Sequence, residues 1–483
     1  MRRAILAVIA GLIGFVPLAA QAPPRASSAE AATVRRFEAI RNDPLALRAF
    51  LREMPKGGDL HNHLSGSIYA ESFLRWAAED NLCLIAETMT IAAGPCDAAA
   101  GRPPMATLFQ NSGLYNRAID AMSMRNWDRS RNGHDHFFDA FARFNAASSR
   151  RTGDMVAEVT SRAAGEHVSY LELMVSLSAA AAAQFSSRLD PIAGPSPDFA
   201  RVHERLLSAG FVDAAKKEAT ARLDGVAARQ RELLKCGAAQ ADAGCGVTVR
   251  YIAPVTRASA PEVVFAQLVA GFELASGADP RVVGVNLLQP EDDPVALRDF
   301  RLHMSMIDFL HGRYPRVPIT LHAGELTEGL VPPEALRFHV RESLDRGHAS
   351  RIGHATALFS EADPYALLRE MAARNVLVEV ALSSGENILG VTGKRHPLHA
   401  FLKHGVPVAL VTDDMGVSRS THTGEFVKAV EEHGLDYLTL KRLVRNSIEH
   451  AFADTATRAR LESELEAAQA AFERRHVAAR SKS

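Results

Sequence analysis

Eight short, largely apolar runs recur along the chain: Gly58 to His63, Ser169 to Val175, Val247 to Ile252, Val282 to Leu288, Ile319 to His322, Arg351 to His354, Val376 to Leu382 and Val406 to Thr412. Several are almost continuously hydrophobic, the pattern of parallel strands covered on both faces. Helical patterns with apolar residues at three- to four-residue spacing lie between them, over Val263 to Ala275, Asp299 to Leu310, Pro333 to Gly347 and Pro364 to Asn375. Strands that alternate with helices build a parallel sheet, and eight such units predict an α/β fold of the TIM type, a (β/α)₈ barrel. In that architecture functional groups gather at the carboxyl ends of the strands.

Four of those ends carry polar groups. The first run closes on His61-Asn62-His63, whose two histidines fall on one face of an extended strand. The fifth closes on His322-Ala323-Gly324-Glu325, the sixth on His354 and the eighth on Asp413-Asp414. Taken singly, His354 would pass for a core histidine and Asp413-Asp414 for a helix cap or turn. Taken together, His61, His63, His322 and Asp413 form a set of three nitrogens and one oxygen. A borderline metal such as Zn²⁺ accepts that set and keeps room for water. Glu325 lies three residues past His322, so it can face the same cavity without being a ligand, which suits proton transfer. His134, His136, His396 and His399 are read as structural or surface residues. Glu172, inside the second run, is open between a structural ion pair and a pocket role.

The connections are unequal. Residues 64–168 and 176–246 separate the first three strands and are read as insertions that cover the barrel mouth or make a subunit contact, which would allow a homodimer. The second insertion contains a long polar helix from Phe199 to Leu234. Helices over Leu440 to Phe452 and Thr455 to His476 are expected to close the barrel. The chain is thus divided into a signal peptide (1–22), a flexible leader and N-terminal helix (23–53, with the leader reaching about Ala32) and a barrel (54–483). The signal reading rests on Arg2 and Arg3, the apolar run Ala4 to Ala20 and the small-residue pattern Ala20-Gln21-Ala22. No later run is long and apolar enough to span a bilayer.

With 483 residues, 47% hydrophobic, the chain can bury a large core. Its net charge of −1 lacks the basic footprint of a nucleic-acid binder and points to a small-molecule partner. The four cysteines fall into two local pairs, Cys83 with Cys96 and Cys236 with Cys245. In an exported protein, periplasmic or secreted, such pairs suggest two loop-closing disulfides.

The stretches MPKGGDLHNHLSGS, ITLHAGE, RIGHAT, ILGVTGKRHP and PVALVTDDMGVSR together resemble the adenosine/AMP deaminase family of the amidohydrolase superfamily, and the secreted members in particular. The resemblance covers most of the chain after Met54. It implies one Zn²⁺ held by His61, His63, His322 and Asp413, and a purine nucleoside as substrate. It further implies that Glu325 protonates N1 of the purine, that His354 orients or deprotonates the attacking water with Asp413 helping to aim it, and that Asp414 bonds N7. The outcome would be adenosine or deoxyadenosine converted to inosine or its deoxy form, with loss of ammonia. Three positions depart from the family pattern. Ser65 stands where an Asp contacts the ribose 5′-hydroxyl, Gln289 where many members have a Gly against the purine, and Gly385 where an Asn is expected. Two other readings compete. One is an amidohydrolase acting on another aminopurine, an amide or an ester; enzymes of that kind often use a bridging lysine, which no strand end here offers. The other is a binding protein that keeps the fold without the chemistry.

Overall fold

The computed structural model describes residues 28–128, 132–194 and 197–478. The signal-like segment and the start of the leader lie outside these residues. Eight parallel strands line the centre: β1 Gly57–His63, β2 Val168–Met174, β3 Thr248–Thr256 and β4 Val282–Leu288, then β5 Thr320–Ala323, β6 Arg351–His354, β7 Leu377–Val380 and β8 Val408–Leu410. Each set of four forms a sheet in chain order, every pair parallel. Two seams join the sheets into the expected barrel. One is the Val285–Ile319 bridge between the β4 and β5 regions; the other is the Asn62–Asp413 bridge that brings β8 back to β1. At the second seam the Asp413 amide donates to the His61 carbonyl (2.9 Å) and the His63 amide to the Asp413 carbonyl (3.1 Å). Barrel closure and three of the candidate ligands therefore share the same backbone.

Local sequence explains many of the boundaries. An Asp-Pro pair opens three helices, Pro44–Glu53, Pro294–His311 and Pro364–Ala373, and in each the Asp side chain accepts from the first-turn amides. Proline suits the first helical position and Asp the cap before it. At the amino ends of the strands the fully buried Arg351 sits between Glu172 (2.5 Å) and Glu379 (2.6 Å), with the Phe452 ring under its guanidinium. This pairing, completed by Tyr170 and the Phe452 amide on Glu172, gives Glu172 a structural role.

Several expected boundaries shift. The helix expected over Phe199 to Leu234 is two, Phe199–Ser208 and Phe211–Leu233, because Gly210 takes the left-handed conformation (φ +78°) between them. The pattern over Pro333 to Gly347 divides into a 3₁₀ turn, Pro333–Leu336, and a short helix, His339–Asp345, whose first amides are capped by Glu361. The seventh strand stops at Val380, and Leu382 already starts a helix, Leu382–Leu389. The leader turns helical at Ser28 rather than beyond Ala32. Helix Ser28–Ile40 buries Phe37 and packs on the C-terminal helix Thr455–Ala478, where Phe50, Tyr437 and Phe472 complete an aromatic cluster. Both expected disulfides, Cys83–Cys96 and Cys236–Cys245, are formed. Within the first insertion, helix His134–Ser148 lies over the barrel mouth and contributes three phenylalanines to the cavity there.

Candidate metal centre and active site

At the carboxyl end of the barrel the sequence-predicted groups converge. The Nε2 atoms of His61 and His63 lie 3.0 and 3.1 Å from Nε2 of His322, and 3.4 and 3.2 Å from Oδ1 of Asp413. Four donor atoms from β1, β5 and the end of β8 thus surround one point. The other ring nitrogens are already engaged. His61 Nδ1 meets the Glu379 carboxylate at 2.7 Å, and His322 Nδ1 meets the Asn286 side-chain oxygen at 3.0 Å. Both partners accept, so both Nδ1 atoms carry hydrogen and, in the neutral rings, both Nε2 atoms present lone pairs. With both rings neutral, two lone pairs would face each other at 3.0 Å beside the Asp413 carboxylate, so the site calls for a cation there, a proton on His61 or a metal ion. The residues present therefore fit a metal ion, and the carboxylate–histidine arrangement is the usual support of a zinc-type ligand.

The backbone is shaped to this end. His354 (φ +69°) and Asp413 (φ +58°) adopt left-handed conformations at the ends of their strands, each costing about 1–3 kcal/mol that the surrounding ladder must hold. Close approach fixes two glycines. A Cβ on Gly353 would lie 2.8 Å from the His61 ring, and one on Gly66 would fall 1.6 Å from Asp414 Oδ1.

Around the ligands stand Glu325, partly buried, and His354 and Asp414, both buried, in the same region. His354 Nδ1 lies 3.6 Å from Glu325 and its Nε2 lies 4.0 Å from Asp413. Glu325 Oε1, His354 Nε2 and Asp414 Oδ1 are buried and lack partners among the described residues, so they remain free to meet a ligand. Burial, reinforced by the charges of Asp413 and Glu291, pushes the Glu325 carboxyl well above its ordinary range. Burial and the adjacent Asp413 do the same to Asp414. Burial lowers His354 to about 4, so it stays a neutral base. For His61 burial also opposes charge, but Asp413 and Glu379 outweigh it and raise the ring to about 10, a proton that a bound cation would displace.

A cavity of about 270 Å³ opens above these groups, lined on its polar side by His63, His322, Glu325, Asp413 and Asp414 and elsewhere by Gln289 and apolar side chains. Gln289 is left-handed (φ +83°), a conformation suited to the glycine expected there, and its side-chain oxygen accepts from the Ala258 amide. Ser65 lies on the turn after β1 and is not among the lining residues. Gly385 sits in helix Leu382–Leu389, and a Cβ added to it would meet no heavy atom closer than 3.9 Å. His134 bonds Asp135 and Asp292, and His136 faces two backbone carbonyls, as structural histidines do.

Three supporting residues escaped the sequence reading. Glu379 and Asn286 are lone polar residues inside apolar strands β7 and β4, and that interruption was the one signal of them. Glu291, fully buried, accepts from the amides of Gly324 (3.0 Å) and Glu325 (2.8 Å) and from His339, and so fixes the turn that carries Glu325.

Residues 216–468 match the family model described as adenosine deaminase. The chain belongs to the adenosine deaminase family. The match begins after β2, so it is the barrel geometry that joins His61 and His63 to the family's part of the site. An adenine deaminase from Sinorhizobium fredii is 29% identical over 235 residues, 48% of this chain and 65% of that protein. The chain spans less than two thirds of the length of the curated relatives that it matches. Two solved structures share the fold: an amidohydrolase from Burkhoderia ambifaria with bound Zn (TM-score 0.57, 16% identity, covering 89% of this chain and 94% of that one) and Arabidopsis ADAL complexed with IMP (TM-score 0.57, 18% identity, 87% and 99%).

Proposed function

We propose that this chain is a zinc-dependent hydrolytic deaminase that converts adenosine or deoxyadenosine to the corresponding inosine and ammonia. The observation that carries this reading is the convergence of three imidazole Nε2 atoms and Asp413 beside Glu325, whose Oε1 is buried and without a partner. His61, His63, His322 and Asp413 would hold the ion. Zn²⁺, when bound, lowers the pKa of water toward 7 and so supplies a nucleophile at neutral pH.

The chain's own residues supply the remainder. His354, kept neutral by burial, takes up a proton from the water that adds at C6 and passes it to the C6 amine, which leaves as ammonia when the C6–N bond breaks, while the remaining hydroxyl proton returns to Glu325. Glu325, kept protonated by burial and neighbouring carboxylates, gives its proton to N1 as C6 is attacked, which removes charge that would otherwise build on the ring. Asp414, also raised, donates to N7 and orients the base. Ser65 and Gln289 are proposed to influence the sugar and outer pocket. Free adenine is the competing substrate, favoured by the relative from Sinorhizobium fredii.

Export is part of the proposal, supported by two disulfides of a kind that persists in oxidising compartments. Among the described residues no helix is long and apolar enough to cross a membrane. One chain carries the whole ligand set, so the reading does not require a homodimer. The test is the absorbance change with adenosine, deoxyadenosine and adenine, paired with metal analysis of the same sample. Turnover of a nucleoside with about one zinc per chain supports the proposal; zinc without turnover of any of the three contradicts it.

A further inference from the structure

Part of the cavity wall is aromatic. Phe137, Phe138 and Phe141 come from helix His134–Ser148, at spacings that place them on one side of it, and Leu288 and Ile388 continue the surface from β4 and from helix Leu382–Leu389. No lysine or arginine is among the described lining residues, whereas Glu325, Asp413 and Asp414 all are. Arg257 lies behind His322, but it is buried, and one of its terminal nitrogens donates to the carbonyls of Leu287 and His322. Gln289, the uncharged polar residue on this side, already accepts from the Ala258 amide.

With the purine at Glu325 and Asp414, this wall is the apolar part of the lining left for the sugar end. A phosphate there would be stripped of water and would find no lysine or arginine in the described lining. A hydroxyl there would lose hydrogen bonds that the phenylalanines cannot replace, whereas an alkyl group would gain burial. Resting on the deaminase reading above, we infer that this site selects neutral aminopurine nucleosides with an apolar 5′ substituent, such as 5′-deoxy or 5′-alkylthio adenosines, and rejects nucleotides.

The experiment compares kcat/KM of the zinc-loaded full chain for 5′-methylthioadenosine, 5′-deoxyadenosine, adenosine and AMP. The apolar-tailed nucleosides should exceed adenosine by roughly tenfold, the scale of small apolar groups in such pockets, and AMP should fall about 100-fold or more below adenosine. Phe141→Ser should shrink the preference for the alkylthio compound over adenosine. Calorimetric binding of the same four compounds separates the two claims. If none is deaminated but the ranking of binding holds, the selectivity stands and the deaminase reading fails. If AMP binds or reacts within tenfold of adenosine, or the apolar tail brings no gain, the selectivity is overturned while the deaminase reading survives.

Discussion

The Glu379 carboxylate accepts from Nδ1 of His61 at 2.7 Å, and both side chains are fully buried. Its second oxygen takes Thr320 Oγ1 and faces Arg351, so the carboxylate is itself held in place. The contact fixes the tautomer that turns the His61 Nε2 lone pair toward the ligand cluster. Glu379→Gln weakens this orientation and removes the charge. Loss of such a supporting partner typically costs 10–100-fold in metal affinity. Chelator competition should show a zinc affinity reduced by about that factor, and an unchanged affinity would show that Glu379 does not orient the ligand.

Glu291 plays the equivalent part for the proposed proton donor. Its two oxygens receive the amides of Gly324 and Glu325, with His339 on the same carboxylate. Glu291→Gln replaces one acceptor by a donor and releases the turn. Small displacements of a catalytic group can cost about 10²-fold. The expected result is a fall of kcat on that scale with zinc content near wild type. Wild-type kcat in the variant would remove Glu291 from the account.

Glu425 offers a pH signature away from the metal residues. Burial raises its carboxyl to about 7, against the opposing pull of the Ser383 amide bonded to it. The folded chain therefore keeps this proton up to higher pH than the unfolded chain does. The associated stability is fully present below the unfolded pKa near 4.5 and is lost as pH rises through about 7. The size of the shift corresponds to about 3 kcal/mol. In urea unfolding, the stability of wild type relative to Glu425→Gln should drop by an amount of that order between pH 5 and pH 8. A difference that does not vary with pH would contradict the assignment.

The barrel was legible because each of its strands is a short apolar run set off by turn residues, and because the ligands stand at strand ends, where side-chain alternation fixes their direction. His61, His63, His322, Glu325, His354, Asp413 and Asp414 all came together as expected. What holds them did not show. Glu379, Asn286 and Glu291 have meaning only beside residues far away in sequence, since His61 lies 318 positions from Glu379. The two halves of the Phe199–Leu234 stretch misled for a different reason: its composition favours helix throughout, and the single left-handed Gly210 decides the break. The cavity wall was hidden as well, because Phe137, Phe138 and Phe141 read as an ordinary apolar helix face until the insertion is folded over the barrel mouth.

Glu325 is proposed to carry a proton to the substrate while standing outside the metal shell. Its Oε1 is buried and unpartnered, 3.6 Å from His354, and it stands outside the four-residue cluster, although with His354 and Asp413 it forms a second set of donors close enough to share an ion. Glu325→Gln preserves size and part of the hydrogen bonding but cannot transfer the proton. Zinc content and kcat measured on the same purified samples decide the matter. Zinc should stay near wild type with kcat reduced by at least about 10²–10⁴-fold, whereas His61→Ala should lose zinc and activity together. A Glu325→Gln protein that loses its zinc, or that keeps both zinc and full activity, would contradict this role.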